Sequence, residues 1–295
     1  MQSTNIMKRQ NYSISVLVFT AGLLMLGACD KADPIASYVY VPKMEFAAGS
    51  GQGSSLQDFP IIYAYANGKL LGLYPVPGLI PIIASGSTDM VFFPGIFRFG
   101  IKSLPDIYPA ALRIDKLIDL QPTEVDTFTP VFTYDPKVNV LLTEDFESNG
   151  SVFSNTIQGT PLSLSAESVF EGSKAGLLFA DTLKPVTEVS SIPLSGIPDD
   201  NSRRVYIEMN YKTETPMAVG LRGFNNNSSL SETYYIVVLN PTDTWKKAYI
   251  DVTTEIVTLK YDNYQILLQT GLAFTANGYE KLQAKTFVDN IKLLY

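Results

Sequence analysis

Apolar and polar residues alternate in short runs along most of the chain after residue 36, and helical periodicity is nearly absent. Val, Ile, Thr, Tyr and Phe dominate these runs, and Gly, Pro, Asn and Asp separate them. Alternation with a period of two is the pattern of a half-buried β-strand. The sequence therefore predicts an all-β protein, with the clearest strands at residues 205–209, 234–239 and 286–291.

The first 28 residues follow a different pattern. Lys8 and Arg9 precede an apolar run at residues 14–28, in which Ser15 and Thr20 are the only polar side chains. This run is shorter than the roughly 20 apolar residues that a membrane-spanning helix needs. A basic start, a short apolar core and small residues at its end are typical of a secretory signal peptide. We therefore predict that residues 1–28 are a cleaved signal peptide.

The end of the apolar run, Leu-Gly-Ala-Cys at residues 26–29, resembles the lipobox of bacterial lipoproteins. This resemblance implies cleavage before Cys29, a diacylglycerol on its sulfur and an acyl chain such as palmitate on the new amine. Two or more acyl chains hold a protein stably on a membrane, whereas one is marginal. Residues 29–36 would then be a lipidated tether. The alternative is a secreted protein whose signal peptide carries an incidental cysteine.

Asp30, directly after the cysteine, bears on which membrane holds the anchor. Among lipoproteins, an aspartate there implies inner-membrane retention in enteric bacteria, whereas other Gram-negative groups use acidic residues after the cysteine to reach the cell surface. Asp30 and Asp33 fit either interpretation. We predict the outer membrane, on its periplasmic or its surface-exposed side.

Residues 37–142, here the N-terminal half, are rich in turn signals. Asn67-Gly68 lies between two alternating runs and predicts a β-hairpin with a type I′ turn. Residues 49–55, GSGQGSS, predict a flexible loop. The order of features resembles the small β-sandwich modules of the PEGA type, which implies an immunoglobulin-like spacer or adhesion module. The resemblance rests on Asn67, Gly68, Leu71-Gly72, Pro77 and Gly86.

Residues 143–295, here the C-terminal half, resemble the jelly-roll carbohydrate-binding modules. The resemblance rests on Asp-Phe-Glu at residues 145–147, a glycine-containing hairpin at 169–177, a tryptophan-led strand at 243–252 and the last strand at 286–291. It implies two antiparallel sheets packed face to face. The predicted architecture is therefore two β-sandwich domains, an Ig/PEGA-like domain followed by an antiparallel jelly roll.

The jelly-roll resemblance also implies a structural calcium ion that joins the first and last strands. Its ligands would be Glu147 and Asp289, with Asp145 less certain and with backbone carbonyls near Gly172 and Lys174. Calcium takes six to eight oxygen ligands, which carboxylates and carbonyls supply. The alternative is that these acids are solvated residues at strand ends.

A sugar-binding face on a β-sandwich combines aromatic rings with polar side chains. We predict such a face at Tyr211, Arg222, Asn225 and Tyr235, because residues 206–264 hold many aromatics around the polar stretch RGFNNNSS. Most of those aromatics are expected in the core or in cross-strand pairs. The alternative is that RGFNNNSS is simply a polar loop.

Composition narrows the possible functions. The chain of 295 residues has no histidine and one cysteine, which excludes Ser-His-Asp and Cys-His catalytic sites and histidine-ligated metal centres. A net charge of −7 without a basic cluster argues against nucleic-acid binding. We predict a non-catalytic, lipid-anchored surface protein that binds glycans. A scaffolding lipoprotein with a protein partner is the alternative, and a carboxylate-based glycoside hydrolase comes third.

Overall fold

A computed structural model describes residues 35–228 and 230–295. The predictions on the signal peptide, Cys29 and Asp30 therefore lie outside the described residues. Ser37–Tyr295 forms one compact unit. Among the described residues, no helix has the length and apolar character that a membrane crossing would need.

The N-terminal half consists of strands and turns, as the alternation predicts. Asn67 and Gly68 both have positive φ, at 48° and 76°, and form the turn of an antiparallel hairpin, so the hairpin prediction is confirmed. The ten strands of this half are β1 (Ser37–Val41), β2 (Glu45–Ala47), β3 (Ile61–Ala66), β4 (Lys69–Pro75), β5 (Gly78–Ile82), β6 (Gly86–Phe97), β7 (Pro105–Ile107), β8 (Ile114–Leu120), β9 (Val125–Thr127) and β10 (Val131–Thr133).

These strands form a β-sandwich. One sheet has the order β4-β3-β6-β7, with β8 also on β6, and the others are β5-β1-β9 and β10-β2. The strand pairs β1–β9 and β2–β10 are parallel. Ile62 and Phe92 from the larger sheet meet Val39, Ile80 and Phe132 from the smaller ones in one hydrophobic core.

The C-terminal half is an antiparallel jelly roll, which confirms the predicted fold class. Its single helix, α1 (Thr253–Leu259), ends at Lys260 in the left-handed conformation. Its strands are β11 (Val140–Glu144), β12 (Asn155–Gln158), β13 (Ser163–Ser165), β14 (Ala175–Asp181), β15 (Val186–Ser190), β16 (Leu194–Ser195), β17 (Tyr206–Thr213), β18 (Met217–Phe224), β19 (Ser231–Leu239), β20 (Thr242–Asp251), β21 (Asn263–Gly271), β22 (Phe274–Thr275), β23 (Gly278–Tyr279) and β24 (Gln283–Leu294).

Two six-stranded sheets face each other in the jelly roll. The first jelly-roll sheet has the order β13-β14-β24-β17-β20, with β11 also on β24. The second jelly-roll sheet has the order β12-β15-β21-β18-β19, with β16 also on β21. Their inner faces bury Ile207 and Val288 from the first sheet against Val219 and Ile266 from the second. The outer face of each sheet is thus available for other contacts.

The N-terminal half covers part of the outer face of the first jelly-roll sheet. Tyr206, Tyr249 and Leu294 point out of this sheet and belong to the hydrophobic core of the N-terminal half. Phe59 stacks on Tyr249 with ring centroids 6.1 Å apart. Ser37–Tyr295 is one compact unit, and no boundary inside it is defined. The domain limits at residues 142 and 143 therefore stay a prediction.

Candidate functional site

The outer face of the second jelly-roll sheet carries a row of polar side chains. Along β21, Ile266 and Leu268 point into the jelly-roll core. Because side chains alternate along a strand, Gln265, Leu267 and Gln269 point to the opposite side of the sheet. Among the described residues, the hydrophobic core of the N-terminal half includes side chains of the first jelly-roll sheet but none from this outer face.

Strand pairing brings residues that are distant in sequence together on this face. Gln269 lies opposite Glu188 of β15 and opposite Ala218 of β18. Gly220 of β18 lies between Leu267 and Tyr235. The polar row therefore runs across four strands, from β15 to the edge strand β19.

A hydrogen-bonded chain links three of these side chains. The amide nitrogen of Gln269 donates to the Tyr235 hydroxyl at 2.6 Å and to the Glu188 carboxylate at 3.2 Å. Tyr235 is 45% exposed, whereas Glu188 is only 8% exposed. Burial and the neighbouring Glu188 raise the pKa of Tyr235 to about 12. The phenol is therefore neutral at physiological pH and can donate its proton to an acceptor.

A β-bulge sets the position of Tyr235. The register between β18 and β19 shifts between Val219 and Gly220, so that β19 has one extra residue there. A Cβ atom on Gly220 would lie 2.4 Å from the Tyr234 carbonyl oxygen, which only glycine avoids. Bulges of this kind redirect a side chain. Gly220 thus allows the close strand contact beside the Tyr235 ring.

Two charged side chains on this face lack an ion-pair partner. Glu188 and Arg222 take part in no ion pair among residues 35–228 and 230–295. The Nε atom of Arg222 donates to the Ser231 hydroxyl at 2.9 Å. Arg222 lies opposite Gln265, so a guanidinium and an amide adjoin on the same face. The face therefore offers donors and acceptors beside one exposed aromatic ring.

The four residues predicted from the sequence as ligand contacts lie in three places. Arg222 and Tyr235 share the outer face of the second jelly-roll sheet. Asn225 follows β18, and its side-chain oxygen accepts a hydrogen bond from the Asp262 backbone at 3.1 Å. Tyr211 is on β17 in the other sheet and packs against the jelly-roll core. Ligand binding by these residues stays a prediction.

The sequence did not indicate Glu188 or Gln269 as residues of the candidate site. They are 81 positions apart, and each is an ordinary polar residue of an alternating strand. No short motif marks either one. Only the pairing of β15 with β21 places them side by side.

Glu147 and Asp289, the predicted calcium ligands, bind the same hairpin. Glu147 accepts hydrogen bonds from the backbone of Ser173 and Lys174, both at 2.8 Å, and from the Ser173 hydroxyl at 2.5 Å. Asp289 accepts bonds from the backbone of Phe170 and Glu171, both at 3.2 Å. These bonds lower the pKa of Glu147, whereas burial raises the pKa of Asp289 to about 6.

The contacts of this pair bear on whether calcium fits. The groups that face the two carboxylates are N–H and O–H donors, whereas a calcium ion needs six to eight oxygen ligands. The described residues include no group of three or more acidic, cysteine or histidine side chains placed to hold a metal. The N–H and O–H groups around the two carboxylates do not form a coordination shell for calcium. Calcium binding stays a prediction, which thermal unfolding with and without millimolar calcium would decide.

Comparisons with known proteins find similarity among solved structures only. No family model matches the chain, and no curated protein matches it. Among solved structures, it is similar to the C-terminal family 22 carbohydrate binding module of Clostridium thermocellum Xyn10B, at 13% identity and a TM-score of 0.34, over 52% of this chain and 92% of that one.

Two further solved structures show the same level of similarity. One is the family 30 carbohydrate-binding module of a Clostridium thermocellum cellulosomal cellulase, at 13% identity and a TM-score of 0.37, over 52% of this chain and 97% of that one. The other is a family 29 carbohydrate binding module, at 18% identity and a TM-score of 0.33, over 54% of this chain and 85% of that one.

Proposed function

We propose that the outer face of the second jelly-roll sheet binds a glycan and that the protein is a non-catalytic surface receptor. The observation that carries this proposal is the chain of hydrogen bonds from the exposed Tyr235 ring through Gln269 to Glu188. An aromatic face can stack on a sugar ring, and the flanking amide and carboxylate can bind its hydroxyl groups. Arg222 adds donors on the same face.

The burial of polar groups on this face supports the proposal. An ordinary solvent-facing sheet exposes its polar side chains, yet Glu188 and Gln265 are each only 8% exposed. Burying such groups costs free energy unless hydrogen bonds compensate it. Glu188 accepts a hydrogen bond from Gln269, which also binds Tyr235, and Gln265 donates to the Ser191 backbone carbonyl at 2.7 Å. Fixed donors and acceptors lose little entropy when a ligand binds, which favours recognition.

We also propose that the protein lies on the outer membrane, where it would bind the glycan. The lipobox-like residues 26–29 would place the protein on the outer membrane through Cys29. The N-terminal half would then separate the jelly roll from the membrane as a spacer. It covers the outer face of the first jelly-roll sheet near Tyr206 and Tyr249. This contact leaves the second sheet as the one that faces a ligand.

A protein partner is the second candidate, and three exposed apolar side chains favour it. Leu183, Phe274 and Leu282 are 90%, 73% and 77% exposed. Leu183 follows Asp181 by two positions, and Leu282 directly precedes Gln283, the strand partner of Asp181. Leu183 and Leu282 therefore share one end of the sandwich. Exposed apolar groups that cluster in this way mark interaction surfaces.

Binding of the full chain to a panel of soluble polysaccharides, measured by affinity gel electrophoresis, tests the proposal. For a polysaccharide that is retained, we expect Tyr235→Ala and Gln269→Ala each to weaken binding by about tenfold, which corresponds to about 1.4 kcal/mol. Phe274→Ala is the matched control, because it removes an exposed aromatic ring from another part of the jelly roll.

Two outcomes would contradict the proposal. In one, no polysaccharide in a broad panel retards the wild-type chain. In the other, Tyr235→Ala and Phe274→Ala bind as well as the wild type. Loss of binding in Phe274→Ala alone would instead point to the end of the sandwich that carries Leu183 and Leu282.

A further inference from the structure

Three polar side chains meet on the outer face of the first jelly-roll sheet. Lys247 of β20 lies directly opposite Asn210 of β17, and Glu208 precedes Asn210 by two positions on the same face. The Lys247 amine is 3.4 Å from the Asn210 side-chain oxygen and 3.5 Å from the Glu208 carboxylate. The amine is therefore close to both the amide and the carboxylate.

All three side chains are shielded from water. The side chains of Lys247 and Glu208 are 1% and 0% exposed, and Asn210 is 2% exposed as a residue. Lys and Glu are almost never fully buried unless they are paired. Burial lowers the pKa of Lys247, which favours its neutral, nucleophilic amine. An amine at a protein surface would instead be protonated and unreactive.

We propose that Lys247 and Asn210 form an intramolecular isopeptide bond, with Glu208 as the proton-transfer group. The Lys247 nitrogen attacks the side-chain carbonyl carbon of Asn210 and forms a new C–N bond. Glu208 accepts the proton that the amine loses and returns it to the departing amide nitrogen. The C–N bond to that nitrogen breaks, and ammonia leaves. The step consumes no oxidant, reductant or co-reactant.

The geometry favours this reaction over a simple ion pair. The Lys247 amine lies 3.4 Å from the Asn210 Oδ1 atom, which is bonded to the carbon that it would attack. A nucleophile held close to its target reacts with a large effective concentration. Direct cross-strand pairing holds Asn210 and Lys247 at fixed backbone positions. Several neighbours fix Glu208 in turn, since it accepts hydrogen bonds from Tyr108, from Tyr134 at 3.2 Å and from Gln57 at 3.0 Å.

A second buried lysine provides an internal comparison. Lys292 of β24 lies opposite Glu208 on the other side of β17. Its amine donates to the Ser54 carbonyl at 2.7 Å and to the Tyr134 hydroxyl at 3.0 Å. Neither partner is an amide side chain or a carboxylate that an amine could convert to an amide. Lys292 therefore shares the burial of Lys247 without its reaction partner.

The intact mass of the full wild-type chain tests the proposal directly. We expect a mass that is lower than the sequence mass by one ammonia, after allowance for any processing at the N-terminus. Proteolysis should yield one branched peptide pair that joins Lys247 to Asn210. Lys292→Met is the matched control and should keep the deficit, whereas Lys247→Met should have its full sequence mass.

Two further variants distinguish formation of this bond from other reactions that release ammonia. Asn210→Asp should form the same cross-link with loss of water instead of ammonia. Glu208→Gln should slow the reaction and leave a fraction of the chain at full mass. A folded wild-type chain at full sequence mass without a branched peptide would overturn the proposal. A deficit that maps to a cyclised asparagine elsewhere in the chain would overturn it as well.

Discussion

The amine of Lys292 donates a hydrogen bond to the backbone carbonyl of Ser54 at 2.7 Å, across 238 positions of the sequence. This bond joins the last strand of the jelly roll to a loop of the N-terminal half. Gly53 approaches the same lysine so closely that a Cβ atom there would lie 2.8 Å from its side-chain Cε. The loop thus covers a buried cluster of three ionisable side chains, Lys292, Lys247 and Glu208.

Replacement of Lys292 should change how stability depends on pH. Burial lowers the pKa of Lys292 from 10.5 to about 8. The folded chain then binds fewer protons than the unfolded chain between pH 8 and pH 10.5, so the free energy of unfolding rises with pH in this window. Below pH 8 the buried Lys292 amine is protonated in the folded chain, and the full free-energy cost of burying its charge then reduces stability.

We expect the free energy of unfolding of the wild type to gain about 1 to 2 kcal/mol relative to Lys292→Met from pH 8 to pH 10. Urea unfolding of both proteins at several pH values measures this difference. Parallel stability curves for the two proteins would show that Lys292 does not titrate in this window.

Gln57 should contribute to stability because its side chain connects the loop to the cluster of ionisable side chains. Its amide nitrogen donates to Glu208 at 3.0 Å, and its oxygen accepts from the Tyr249 hydroxyl at 2.9 Å. Gln57→Ala removes one hydrogen bond from each of these two buried partners, and we expect a loss of about 1 to 3 kcal/mol in the free energy of unfolding.

Gln52→Ala is the matched control in the same loop. The Gln52 side chain accepts only an exposed hydrogen bond from the Gly49 backbone, at 2.6 Å. We expect a change within about 0.5 kcal/mol. Equal effects of the two substitutions in chemical denaturation would contradict the role assigned to Gln57.

Gly172 should tolerate no side chain, because it lies against the Glu147 carboxylate. Its φ is +78°, and a Cβ atom there would lie 2.5 Å from a Glu147 oxygen. Gly100 has a similar φ of +71°, but no atom lies within 4 Å of the corresponding Cβ. The two substitutions to alanine thus share the backbone cost and differ in the steric contact.

We expect Gly172→Ala to reduce the free energy of unfolding by about 1 to 3 kcal/mol more than Gly100→Ala does. Thermal unfolding followed by circular dichroism at 218 nm or by fluorescence would measure the difference. If both variants lose the same stability, Glu147 does not hold the hairpin at residues 170–174 as described.

Cys29→Ser tests the membrane anchor that the sequence predicts. The wild-type chain, expressed in a Gram-negative host, should partition into the detergent phase and carry acyl chains on its N-terminal peptide. Cys29→Ser should remain in the aqueous phase, since the lipid attaches to the thiol. Asp30→Asn is the control that keeps the cysteine, and it should stay lipidated. Acylation-independent membrane binding of Cys29→Ser would contradict the lipobox interpretation.

The local features of this protein follow from its sequence. Alternation with a period of two predicted the strands, because successive side chains point to opposite faces of a strand. Asn67-Gly68 predicted its hairpin, because both residues adopt the positive φ that the turn requires. The same signals indicated β-sandwiches in both halves.

Which faces are covered and which residues meet depends on how the strands pack together. Tyr211 and Tyr235 lie on similar alternating strands, yet one packs against the core and the other is exposed. Glu188 and Gln269 meet only through the pairing of β15 with β21. Alternation divides a strand into two faces but does not say what covers each face. That depends on contacts between distant segments, and here the N-terminal half covers the first jelly-roll sheet and buries Glu208.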